Sequence, residues 1–243
     1  MTLRQNQQLI IKAKLGARRE HIPDRFDNEF YPRETEHYVG QFPINYVPER
    51  FAKISEQEAL ALPKPMVLQQ LEFNLMLNGS TVQATDASPL EPKGIEHPDQ
   101  VKVFVQNFKP SLQTQDSTYN SKKYFDLDIK ELANLNSGYQ IHGLQCYIRK
   151  TTEDPSPICF GSSKYHLVSG VKLYLPVNIN DLPLGNQHRL VWATSNEPIY
   201  GGITIDWYTD VKNINRWQEI DAAIWRLLET WNVSPFNKIS KQQ

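Results

Sequence analysis

Two cysteines, Cys146 and Cys159, and six histidines, His21, His37, His97, His142, His166 and His188, are the side chains with the widest chemical range in this chain. A thiolate beside an imidazole is a nucleophile, and three or four such groups together hold zinc. The histidines are spread singly, none four residues from another, and the cysteines do not have zinc-site spacing. One catalytic constellation is open. His142 and His166 fall on or just beyond two predicted strands that carry the cysteines, and Asp206 follows on a later strand, which allows a Cys/His nucleophile arrangement. The same residues also have a structural reading. Ile141 to Lys150 and Pro157 to Tyr165 read as strands around the turn-rich run from Lys150 to Ser156. A hairpin centred between Thr152 and Glu153 sets Cys146 opposite Cys159, where facing α-carbons lie roughly 4.5–5.5 Å apart, within disulfide reach. A register slip of one residue removes the bond, and two reduced, packed thiols are the other possibility.

The remaining signatures of catalysis are missing. There is no GxxxxGK[ST], no GxSxG and no HExxH, and Gly161, Ser162 and Ser163 sit in a hairpin strand where serine is commonly structural. No residue is therefore assigned a catalytic or metal-binding role, and no cofactor is expected. With 26 basic and 27 acidic residues the chain has no net pull on a phosphate backbone, so nucleic acid is not an expected partner. Lys12, Lys14, Arg18 and Arg19, and later Lys122 with Lys123, read as solvated faces. No run reaches the ~18 apolar residues of a membrane span. LIIKAKL, near the start, is too short and charged for an export core.

These groups must be positioned by a scaffold, and its clearest part is Tyr200 to Val233. Ile203, Ile205 and Trp207 alternate with Thr204, Asp206 and Tyr208, the period of a strand with one buried face. Trp217, Ile220, Ile224, Leu227, Leu228 and Trp231 then form one stripe of a helix that must dock on a sheet. Asn215 and Gln218 have the form of a capping box, and Asn232 with Pro235 ends the helix.

The 243 residues can bury a substantial core. Leu3 to Arg19 reads as an imperfect amphipathic helix. His21 to Pro43 reads as an extended segment fastened by Phe26, Phe30, Tyr31 and Tyr38. Val39 to Pro48 suggests a strand ended by proline. Met66 to Leu77 and Val101 to Val105 read as strands, followed by a short helix near Ile129 to Leu135. After the cysteine hairpin come strands over Val171 to Val177, His188 to Thr194 and Gly202 to Tyr208. The expected class is α+β, a mostly antiparallel sheet in two sub-blocks with the long C-terminal helix packed on it. The expected division is an N-terminal helix and extended segment at 1–58, a first α+β block at 59–138 and a second at 139–243. A single continuous sheet is the competing architecture.

Gly40, Phe42, Ile44 and Pro48 resemble the opening of the periplasmic immunity proteins that bacteria make against type VI secreted phospholipases. Ile205, Asp206 and Trp207, then Glu219, Asp221 and Trp225, are similar in order to that family's closing strand and helix. The chain departs from the pattern at Gln41, where the family has a basic residue, and the middle of the chain is not covered. The resemblance implies a non-catalytic protein that binds and blocks a cognate toxin, in the periplasm, with the leader or anchor outside this sequence; the alternative location is cytoplasmic.

The residues themselves nominate a partner-binding surface. Trp225 lies about 80° around the helix from Trp217 and is a candidate anchor, unless another segment covers it. Asp206, Tyr208 and Asp210 are placed on the solvent face of the last strand, beside the loop that carries Glu197 and Tyr200. Such an acidic and aromatic surface suits a protein partner. The competing classes are a cysteine- or histidine-dependent small hydrolase and a cell-envelope structural or ligand-binding protein. Oligomeric state is not specified.

Overall fold

The computed structural model describes residues 3–5, 8–15, 38–43, 66–68, 70–80, 82, 87–91, 93–107, 120–150, 156–165, 168–176 and 189–234. Two sheets are present among them. In the smaller, β1 (Leu3–Gln5), β2 (Gln8–Leu15) and β3 (Val39–Pro43) pair antiparallel in that order, and β4 (Met66–Leu68) runs parallel to β2. The expected N-terminal helix is thus replaced by two strands. Leu9, Ile11, Ala13 and Leu15 alternate, and β2 finds ladder partners on both sides, so the period of two prevails over the imperfect helical stripe.

The larger sheet has eight strands in the order β5 (Gln70–Met76), β6 (Gln100–Asn107), β12 (Ile203–Asp210), β11 (Leu190–Glu197), β10 (Val171–Tyr174), β9 (Pro157–Gly161), β8 (Leu144–Ile148) and β7 (Tyr139–Ile141), every pair antiparallel. Strands from 59–138 and from 139–243 meet where β6 pairs with β12, with Val103 opposite Trp207. The sheet is continuous across that boundary.

Alternation sorts the side chains onto two faces. One row of register partners runs Phe73, Val103, Trp207, Ala193, Leu173, Cys159, Cys146, Tyr139 across all eight strands, and helix α2 (Trp217–Trp231) covers this inner face. The stripe seen in the sequence is the docked one: Trp217, Ile220, Ile224, Leu228 and Trp231 are all buried in the same core. Gly161 permits the close approach, because a Cβ there would lie 2.2 Å from the Trp217 ring.

The start of α2 differs from expectation. A 3₁₀ run, Val211–Arg216, precedes it, opened by the Asp210 carboxylate accepting from the Lys212 N–H, and Arg216 occupies the cap position without capping the helix's backbone N–H groups, its guanidinium donating to Glu219 instead. The Asn215 capping box does not form, because Asn215 lies inside that run. Helix α1 (Ser121–Leu132) begins earlier than predicted, where the Asn120 side chain accepts from the Lys123 N–H. Phe125 and Ile129 of α1 bury against Ile158 and Phe160 on the opposite, outer face of the sheet.

The cysteine hairpin has the predicted register. Cys146 faces Cys159, their α-carbons are 4.0 Å apart, and the sulfurs are bonded. Both are fully buried.

The two resembling ends also meet. The Tyr38 hydroxyl donates to the Leu228 carbonyl (2.8 Å), the Val233 N–H donates to the Val39 carbonyl (2.8 Å), and Gly40 bridges to Asn232. Ile44, Pro48, Phe26, Phe30 and Tyr31 lie outside the described residues. Among the described residues no helix is long and apolar enough to cross a membrane.

Candidate partner-binding face

Helix α1 covers only part of the outer face, and an aromatic row stands beside it. Direct register sets Tyr208 of β12 against Trp192 of β11, and Trp192 against Tyr174 of β10. The Tyr174 and Trp192 rings stack at 4.6 Å and 18°; those of Trp192 and Tyr208 lie 6.2 Å apart at 5°. Phe104 of β6 adds an edge contact to Tyr208 at 5.8 Å, and the Arg149 guanidinium lies over Tyr174 at the other end. Trp192 is 38% exposed, whereas the other four tryptophans are buried. Cross-strand aromatic pairs of this kind are stabilising in themselves and rigid.

Polar groups are threaded through the row. The Trp192 indole N–H donates to the Asp206 carboxylate at 3.3 Å. Burial pushes the Asp206 carboxyl up, against hydrogen bonds from Thr194 and Trp192 and the charge of Lys172, which pull it down. Lys172 donates to Asp128 of α1 at 2.6 Å. Tyr208 is pushed up to about 12 by burial and by the Asp206 charge, so its hydroxyl stays protonated at neutral pH.

The six nominated residues separate into two groups. Asp206 and Tyr208 lie on the outer face as expected, with Asp210 at the strand's end over the 3₁₀ run. Glu197 is not on a surface loop: β11 extends to it, its parity is that of Val191, Ala193 and Ser195, and it is 2% exposed. Trp225 is likewise 2% exposed, covered by Tyr165, whose ring stacks on it at 5.8 Å and 12°. Tyr200 is half-buried, at φ 54°, edge-on to Tyr38 at 5.2 Å. Trp192, Tyr174 and Phe104 were not among the nominated residues. Leu190, Trp192 and Thr194 alternate with Val191 and Ala193, so both faces of the segment are apolar and periodicity alone does not tell which one meets water.

The buried carboxylates form a second polar cluster, on the inner side. Glu197 accepts from the N–H (2.9 Å) and hydroxyl (2.7 Å) of Ser169, and Asp221 of α2 accepts from the Ser163 hydroxyl (2.5 Å) and from Trp225. Burial pushes Glu197 up to about 7, with the Asp221 charge adding to the rise, and burial pushes Asp221 up to about 6. Both hold the loop between β9 and β10. A third acid, Glu229, takes the Tyr165 hydroxyl of the same loop.

The catalytic constellation is not assembled. Its thiols are joined in the core, and His142 sits in a tight turn at φ 49° with its carbonyl accepting from the Trp217 indole. His166 lies outside the described residues. An open depression of about 480 Å³, lined by Ala133, Asn134, Leu135, Arg149 and Lys150, carries no imidazole, thiol or hydroxyl. Among the described residues no three His, Cys, Asp or Glu side chains are grouped closely enough to hold a metal ion.

The fold is α+β, a mostly antiparallel sheet with a C-terminal helix packed on one face. No family model matches the sequence, and no curated protein matches it. Among solved structures the chain is similar to Smlt3025, an immunity protein of the Stenotrophomonas maltophilia type IV secretion system. The identity is 7% and the TM-score 0.42, over 96% of this chain and 98% of that one. The secretion system named there is type IV, whereas the resemblance carried by Gly40 and its neighbours is to proteins paired with type VI effectors.

Proposed function

We propose that this chain is a non-catalytic immunity protein that binds and blocks a secreted bacterial toxin, and that it engages the toxin with the outer face of its long sheet. The observation that carries this reading is the Tyr174–Trp192–Tyr208 stack, held in register by three neighbouring strands and left uncovered by α1. Trp, Tyr and Arg are the residue types that dominate binding energy at protein interfaces, and a rigid aromatic row loses little entropy on docking. The buried cystine supports an oxidising compartment, the periplasm. A phospholipase target is the finer form of the proposal, and it rests on the resemblance at Gly40, Phe42 and the closing strand and helix.

The test is co-expression with the product of the neighbouring gene. A stoichiometric complex that protects cells from that product is expected, and Trp192→Ala should weaken it by about thirtyfold or more, the range of an interface hot spot. Absence of any complex, or a complex unaffected by Trp192→Ala and Tyr208→Ala together, overturns the reading.

A further inference from the structure

Asn78 and Gly79 are the single Asn-Gly pair in the chain, and they stand exposed in the turn that leaves β5. The pair has a chemistry of its own. The backbone nitrogen that follows an asparagine can attack the side-chain amide carbon, and a glycine leaves that nitrogen uncrowded because it has no Cβ. The fold favours this reaction here. The Asn78 side-chain oxygen accepts from the Ser80 N–H at 2.9 Å, which turns the amide back over its own main chain and polarises the carbonyl. The Gly79 N–H, which must give up its proton, reaches the Met76 carbonyl only at 3.5 Å, beyond the ordinary range of such a bond. The space where a Gly79 Cβ would stand is empty to 4 Å, so no neighbour crowds the attacking nitrogen from that side. The amide nitrogen of Asn78, the group that would leave, donates to the Asp99 carboxylate at 2.9 Å. Lys212, 2.7 Å from Asp99, holds that carboxyl below the usual range, so it is charged at neutral pH and can only accept.

We propose that Asn78 is a site of spontaneous deamidation, and that the reaction releases the turn after β5 from Asp99. The Gly79 nitrogen bonds to the Asn78 side-chain carbon, the bond from that carbon to its amide nitrogen breaks, and the proton lost by Gly79 passes through solvent to the departing ammonia. Water then opens the cyclic imide at either carbonyl, giving aspartate or isoaspartate, with no change of oxidation state. Either product places a carboxylate where an NH2 group donated to Asp99, so that hydrogen bond is lost. The consequence reaches beyond the turn. The Leu77 N–H donates to the Asp99 carbonyl at 3.0 Å, and the Arg216 guanidinium, at the entry to α2, donates to the Leu77 carbonyl at 3.2 Å. A change at residue 78 is therefore felt where the C-terminal helix begins.

The full chain is incubated in native buffer at mildly alkaline pH for the interval in which the guanidinium-denatured chain converts, and both samples are mapped by mass spectrometry with fragmentation that tells aspartate from isoaspartate. In the native sample the Asn78 peptide should gain the mass of an amide-to-acid exchange, with both products present and every other asparagine intact. Asn78→Gln, whose longer side chain cannot close the same ring, should lose the mass gain completely. Asn78→Asp, made directly, should raise hydrogen exchange at the Leu77 amide. An intact Asn78 in the native sample, another asparagine converting ahead of it, or a mass gain that persists in Asn78→Gln overturns the site. Unchanged protection of Leu77 in Asn78→Asp overturns the release from Asp99. Toxin binding enters none of these measurements, so their outcome leaves the immunity reading to its own test.

Discussion

Glu197 on β11 and Asp221 on α2 grip opposite ends of one loop, through Ser169 and Ser163, and that loop lays Tyr165 over Trp225. Two buried acids therefore fasten the cover that keeps a helix tryptophan out of water.

A pH dependence follows. Glu197 stands at about 7 against an ordinary 4.5, and Asp221 at about 6 against 3.8. The native state holds protons that the unfolded chain has already released between about pH 4 and 7, so this contribution is full at the acid end and is lost as pH rises through the window. For Glu197 alone the shift corresponds to on the order of 3 kcal/mol. Glu197→Gln keeps an oxygen for Ser169 and loses the titration. Its melting temperature should exceed that of wild type near pH 8 and lose that lead near pH 5, as read by thermal denaturation across pH. A lead that is unchanged across the series contradicts the assignment.

The cystine closes a loop of sequence separation 13 in the core. Cys146→Ala with Cys159→Ala should lower stability by about 3 kcal/mol on the chain-entropy model. Both cysteines are fully buried, so alkylation after mild reductant should stay silent until denaturant is added. Mass spectrometry under those two conditions checks it, and rapid labelling of native protein would count against a buried bond.

Gly161→Ala places a methyl carbon 2.2 Å from the ring of Trp217, which is 1% exposed and has nowhere to retreat. The expected loss is about 1–3 kcal/mol, the usual cost of overpacking. Gly79→Ala, whose added Cβ meets nothing within 4 Å but whose φ is 78°, serves as the comparison, since its cost is backbone strain rather than collision. Chemical denaturation of both variants, with near-UV circular dichroism for the Trp217 environment, separates the two causes: only Gly161→Ala should disturb the aromatic signal.

Tyr38→Phe removes the hydroxyl that donates to the Leu228 carbonyl and leaves the ring in the core. About 1 kcal/mol of stability should be lost. Hydrogen exchange should rise at the Val233 amide, which donates to Val39 next to the same tie. Equal protection in both proteins would show that β3 and α2 are held together without that bond.

Much of this fold is legible in the sequence, because local periodicity and one cross-link agree. A hairpin register read from the sequence sets Cys146 against Cys159, as the β8–β9 ladder does, and the stripe from Trp217 to Trp231 is the docked face of α2. Reading fails where a distant segment decides the outcome. Trp225 is buried by a loop some sixty residues earlier in the chain. Glu197 has an acidic side chain and a loop-like neighbourhood, yet strand parity carries it inward. Of the candidate face, Asp206 and Tyr208 are visible from the alternation of β12, while Trp192 and Tyr174 gain their meaning only when register sets them side by side.

The alternation of β10, β11 and β12 also has an evolutionary consequence. Each rung of the aromatic row has sequence neighbours on the opposite side of the sheet: Leu173 behind Tyr174, Val191 and Ala193 behind Trp192, and Trp207 and Thr209 behind Tyr208. Outward positions can therefore be exchanged one at a time without repacking the interior. If the row is the docking surface proposed above, a lineage under pressure to follow a changing adversary can rewrite it rung by rung on an unaltered frame.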